Sequence, residues 1–159
     1  MNALGKLIGI VAAILVMGRV GYAASASITQ AEAETFINSF YHAMEQGDLD
    51  KIMTHFDRKV EYYDSGLKDQ DYIANELQQY CSAYPSRSFS IGAIRLKPLP
   101  NSDTVTVNFD IRFFLRNPEQ DANKSGRSHV EWDLVKSDGK VRIIRFSGSL
   151  VTEPAAAPH

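Results

Sequence analysis

Two groups of side chains have the types and spacing for chemistry. The first is Tyr62 and Asp64, two residues apart in VEYYDSG. On a strand, residues i and i+2 share a face, so a phenol and a carboxylate would stand side by side. Such a carboxylate can act as a general base, and such a phenol can stabilise a developing oxyanion. The second group is His129-x-Glu131-x-Asp133, which strand alternation sets on one face. One histidine and two carboxylates suit a divalent cation. Residues i and i+4 of a strand are about 13 Å apart, however, so the three cannot close around one ion unaided. We expect no metal and no other cofactor. Each group also has a plain structural reading. Asp64 opens an Asp-Ser-Gly turn, a favoured place for aspartate. His129, Glu131 and Asp133 form a polar strand face opposite Val130, Trp132 and Leu134.

The elements that position these residues follow from the hydrophobic period. Thr29-Gln30-Ala31-Glu32 is a capping box that starts a helix. Ala33, Phe36, Ile37, Phe40, Tyr41 and Met44 recur at helical spacing along it. Gly47 stops this helix, and Asp48 can cap a short second one bearing Leu49, Ile52, Met53 and Phe56. After a turn at Asp57-Arg58, a strand carries Val60, Tyr62 and Asp64 on one face. A third helix opens near Asp69 or Asp71, with Tyr72, Ile73, Leu77, Tyr80, Cys81 and Tyr84 inward, and Pro85 ends it. From Arg87 the period is two. Strands are expected over 89–97, from Val105 through Phe113, over 129–135 and from Lys140 to about Val151. A long loop over 117–127 and a tight turn at Ser137-Asp138-Gly139 join the last three. Helices followed by an antiparallel meander make an α+β domain.

Two registers are open to the strand at 129–135. In one, Val130, Trp132 and Leu134 pack under the helices and Glu131 faces away from any pocket. In the other, the polar set lines the pocket and Trp132 lies on the outer face, where it can join a homodimer interface. A one-residue shift flips every side chain between the two.

Composition bounds the function. The chain has 159 residues, 44% hydrophobic and 23% charged, as expected for one globular domain. Lys6, the apolar run Leu7 to Met17, and small residues at Ala23, Ala24 and Ala26 read as a secretory signal peptide over 1–26. Arg19 interrupts the apolar run at about half the ~20 residues needed to span a bilayer, which argues against an anchor. The mature chain then holds 15 basic and 19 acidic residues, a charge near −4. That balance speaks against nucleic acid and anionic membranes as partners. Cys81 is the only cysteine, so no internal disulfide is expected. Residues 27–151 form the domain, and 152–159, rich in proline and alanine, a disordered tail.

A helix, the segment GDLDKIMTHF, a strand ending in an acid, then a helix and a meander resemble the nuclear transport factor 2-like superfamily, over roughly Ile28 to Val151. That superfamily includes ketosteroid isomerases, SnoaL-type polyketide cyclases, dehydratases and many non-catalytic binding domains. The resemblance implies a cystatin-like cone: three N-terminal helices packed on a curved, mainly antiparallel sheet, with a pocket at its mouth. In the isomerases a catalytic aspartate lies eight residues beyond the phenylalanine that closes the second helix; from Phe56 this falls on Asp64. The isomerases' oxyanion-hole tyrosine, seven residues before the glycine, falls on Phe40, which has no hydroxyl. Their second donor, a protonated aspartate on the penultimate strand, falls on Glu131.

Asp64, Tyr62 and Glu131 are therefore the candidate catalytic residues, and Phe40, Tyr41, Tyr72, Phe109 and Trp132 the candidate pocket residues. We read the chain as an exported, periplasmic or secreted domain, homodimeric and without catalytic activity, that binds a small apolar ligand or a protein partner. The alternative is an isomerase, cyclase or dehydratase-like enzyme with Asp64 as general base.

Overall fold

In the computed structural model, which describes residues 27–100 and 102–151, Thr29 caps the first helix, α1, at Gln30–Gln46. The Thr29 hydroxyl accepts from the Glu32 N–H at 3.2 Å, and the Glu32 carboxylate accepts from the Thr29 N–H at 2.9 Å. Gly47, at φ 67°, turns the chain out of α1. A side chain there would be doubly resisted, since an added Cβ would lie 2.7 Å from Arg87 Nη2. Asp48 caps α2 at Leu49–Met53, and Asp69 caps α3 at Gln70–Ala83. The expected leader at 1–26 and tail at 152–159 lie outside the described residues. Among the described residues no helix is long and apolar enough to cross a membrane.

The strands are β1 Phe56–Tyr62, β2 Leu67–Asp69, β3 Ser86–Ile91, β4 Arg95–Pro98, β5 Thr104–Asn117, β6 Ala122–Ser137 and β7 Lys140–Leu150. They form one sheet in the order β2-β1-β7-β6-β5-β3, with β4 also paired to β5. Only the β1–β7 pairing is parallel. The three helices and the mainly antiparallel, curved sheet are the α+β architecture expected from the sequence.

Several boundaries differ from the expected ones. No turn forms at Asp57-Arg58, because β1 already pairs with β7 from Phe56. The strand expected over 89–97 is two strands, broken where the Gly92 N–H donates to Asp110 O at 2.8 Å. The long loop expected over 117–127 shrinks to residues 118–121. There Asn117 is buried and organises the turn. Its side-chain amide donates to Ala83 O at 2.9 Å, and its carbonyl accepts from the N–H groups of Glu119 and Gln120. The polar residues that follow then pair with β5 as far as Asn117 opposite Ala122.

The core lies between the helices and the concave sheet face. Trp132 is fully buried at its centre, opposite Val107 on one side and Phe146 on the other. Its ring meets Phe40 at 5.0 Å, Phe109 at 5.2 Å, Tyr41 at 5.9 Å and Phe146 at 5.0 Å between centroids. The inward set of β6 is thus Val130, Trp132 and Leu134, the first of the two registers, and Trp132 is not on the outer face.

Candidate functional site

A cavity of about 290 Å³ opens between α1, α3 and the sheet. Helix α1 supplies Phe40, Tyr41 and Met44, and α3 supplies Glu76, Leu77 and Tyr80. Ile111 and Phe146 come from β5 and β7. Tyr62 ends β1, and Tyr63 begins the following single 3-10 turn, Tyr63–Ser65. Helical spacing explains the α1 and α3 contributions, since residues three and four apart share a face.

The mouth is built of rings. Tyr62 stacks on Phe146 with centroids 5.5 Å apart. Tyr63 meets both edge-on, at 4.9 and 5.3 Å. Its backbone stands at φ 46°, a left-handed conformation uncommon for a bulky residue. The Tyr62 N–H closes the turn by donating to Gly66 O at 3.0 Å. Burial shapes the phenols' acidity. It raises Tyr41 and Tyr62 well above the usual tyrosine value and pushes Tyr80 up to about 12, while Tyr63, packed against the other rings but 46% exposed, is raised in the same direction. All four are neutral donors at any physiological pH.

The proposed acid/base group is not brought together. Strand β1 ends at Tyr62, so Asp64 does not share a strand face with it. Asp64 sits exposed in the turn and is not among the cavity's lining residues. The register of β6 turns Glu131 to the outer sheet face. There Arg145 Nη2 donates to Glu131 Oε1 at 2.8 Å, while Arg145 Nε and Nη2 grip the Asp133 carboxylate at 2.7 and 3.1 Å. The Thr106 hydroxyl adds a 2.6 Å bond to Asp133. Burial alone would raise the Asp133 carboxyl, but the bonds from Arg145 and Thr106 outweigh it and hold it below the usual range. His129 pairs instead with Asp110, at 2.9 Å. The His129, Glu131 and Asp133 set thus makes cross-strand pairs, and among the described residues no group of three such ligands could hold a metal ion.

Of the expected pocket residues, Phe40 and Tyr41 line the cavity. Phe109 and Trp132 lie in the core outside its lining, where they buttress Tyr41. Tyr72, expected inward, is 37% exposed and outside the lining, with Lys68 Nζ 4.5 Å above its ring. The first turn of α3 lies where only Ile73 reaches the core. Tyr63, Glu76 and Phe146 are site residues that the sequence did not single out, and Tyr80 lines the cavity from the inward side of α3. For Tyr80 the helical stripe was a usable signal; for Tyr63 and Glu76 none existed without the turn and the helix packing.

A second, more open groove of about 480 Å³ lies between α1 and the β6–β7 turn, lined by Glu32, Thr35, Phe36, Ser39 and His55 among others. His55 is buried against Phe36 and Phe40, and its Nδ1–H donates to Lys51 O at 2.9 Å. Burial lowers its pKa, so it is a neutral packed ring.

No family model matches the sequence, and no curated protein matches it. Solved structures do match the fold. A candidate scytalone dehydratase from Novosphingobium aromaticivorans superposes with TM-score 0.68 at 12% identity, over 80% of this chain and 87% of that one. A candidate dehydratase of the nuclear transport factor 2-like family from Streptomyces avermitilis gives 0.68 at 11%, over 77% and 97%. A protein of unknown function with a cystatin-like fold from Nostoc punctiforme gives 0.64 at 14%, over 82% and 97%. The chain therefore has the cystatin-like cone fold that the sequence resemblance implied.

Proposed function

We propose that this protein is a binding module that holds a small apolar molecule in the ring-lined cavity, without catalysing a reaction on it. The observation that carries this reading is the composition of the cavity. Its walls are aromatic and aliphatic, its polar groups are neutral phenols and Glu76 at the edge, and both acids of the isomerase pattern lie elsewhere. A general base must reach the proton it removes. Asp64 sits exposed in the turn beyond the lining, and Phe40 supplies no hydroxyl. A volume of about 290 Å³ is at the small end for ligand sites, which suits a compact one- or two-ring compound.

Calorimetric titration with 2-naphthol tests this. Saturable binding to the native chain is expected, with loss of at least tenfold in affinity for Leu77→Trp, which fills the cavity. Equal binding by both proteins, or none by either, would overturn the site. Asp64→Asn is expected to bind as the native chain does. The likeness to candidate dehydratases supplies the enzymatic alternative with Asp64 as base, and turnover of a β-hydroxy ketone that Asp64→Asn abolishes would establish it in place of the binding reading.

The same reading makes the chain an exported protein, periplasmic or secreted, that acts as a homodimer. The leader pattern at 1–26 supports export, and N-terminal sequencing after Ala24 or Ala26 tests it. For the dimer, the outer sheet face carrying Phe114, 48% exposed, is the available surface, and light scattering at a dimer mass tests it.

A further inference from the structure

We propose that the cavity takes an organic cation, a tertiary or quaternary ammonium carried on an apolar group. This rests on the cavity being the ligand site and adds a cationic head to the apolar ligand proposed for it.

Three observations converge. First, the only ionisable carboxylate in the lining is Glu76, and the lining holds no Lys, Arg or His. Glu76 has no ion-pair or hydrogen-bond partner among the described residues. Its charge lies close enough to Tyr62 to bear on that phenol's ionisation. Second, three packed rings stand in the lining beside Glu76. Tyr62 and Phe146 stack, and Tyr63 closes edge-on across both. Tyr63 stands in a left-handed conformation, uncommon for a bulky residue, in the turn beside the mouth. Aromatic faces attract a cation through their quadrupole, and Tyr63, 46% exposed, offers its ring at the mouth. Third, the chain already places one ammonium on this ring system. Lys68 lies 4.5 Å over Tyr72, which meets Tyr62 edge-on at 6.3 Å.

Two resident cations lie near the cavity, and neither enters its lining. Lys68 is on the outer ring. Arg87 lies beyond Tyr80, and its guanidinium is turned onto the carbonyls of Met44, Cys81 and Tyr84. A neutral ligand leaves Glu76 unused, and an anion is repelled by it.

The test uses phenyltrimethylammonium and its neutral isostere tert-butylbenzene, each titrated into the native chain and followed by Trp132 fluorescence. The cation is expected to bind roughly tenfold more tightly than the isostere. Glu76→Gln, a change at an exposed position, is expected to weaken the cation about two- to fivefold and leave the isostere unchanged. Tyr63→Leu is expected to weaken the cation more than the isostere. Equal or tighter binding of tert-butylbenzene, or equal effects of Glu76→Gln on both probes, would overturn the cation while leaving the binding site intact. Binding of neither probe would overturn both readings.

Discussion

Replacing Phe40 by alanine tests how the core and the cavity are joined. Phe40 is 1% exposed, and its ring meets Tyr41, His55, Phe56, Trp132 and Phe146 at 5.0 to 5.9 Å between centroids. Truncating a buried phenylalanine costs about 3–5 kcal/mol, part transfer free energy and part unfilled volume. Here one side of the ring already faces the cavity. The new void joins that space and is not sealed off. The expected cost is therefore near the lower limit, about 3 kcal/mol. Equilibrium unfolding in urea, followed by Trp132 emission, measures it, with an unchanged slope showing that the loss is in stability and not in compactness. Toluene at saturation is expected to restore part of the loss, since an apolar void binds an apolar guest. A cost below about 1 kcal/mol, or no response to toluene, would refute the packing described for Phe40 and its continuity with the cavity.

Further outcomes follow from other sites. His55 has its pKa lowered by burial, so the unfolded chain binds its proton first. Stability is present above about pH 6.5 and declines as pH falls from there through the folded value, and His55→Phe is expected to flatten the slope between pH 7 and 5. The carboxyls of Glu32, drawn down to about 2 chiefly by Lys136, and of Asp133 lose their contribution only at lower pH, below about 4, which separates the two effects in an acid titration. Arg145→Met leaves Glu131 and Asp133 side by side without their cation, and is expected to lower stability by about 2 kcal/mol while 2-naphthol binding is unchanged. Gly47→Ala meets both a left-handed backbone and the Arg87 guanidinium, and is expected to cost over 1 kcal/mol by thermal unfolding.

Much of the fold was legible because its signals are local. The Thr29–Glu32 box, the Gly47 stop, the Asp48 cap and the Asp138-Gly139 turn formed as their side-chain chemistry dictates. The alternation at Val105, Val107, Phe109 and Ile111 put those residues in the core. What escaped depends on partners distant in sequence. The start of β1 is set by β7, and the polar strand after Asn117 by β5 and by Ala83 on α3. The site divided in the same way. Phe40, Tyr41 and Tyr62 stand on apolar stripes readable from spacing. Pairing Asp64 with Tyr62 on one face required a strand through Tyr63, whereas β1 ends at Tyr62 and Asp64 stands exposed in the turn. Glu76 is an ordinary exposed helix residue until α3 packs beside Tyr62.

The most direct test of the binding site is a titration of isotopically labelled protein with 2-naphthol, followed by amide and indole NMR shifts. Trp132 Nε1–H is buried without a hydrogen-bond partner, and its ring touches Phe40, Tyr41 and Phe146 of the cavity wall, so it reports on the interior. Saturable shifts are expected for the Trp132 indole and the amides of Met44, Tyr63, Leu77, Tyr80 and Phe146, with Glu131 unmoved. Shifts centred on Ser39 and His55, or on Glu131 and Arg145, with the Trp132 indole unchanged, would contradict the site.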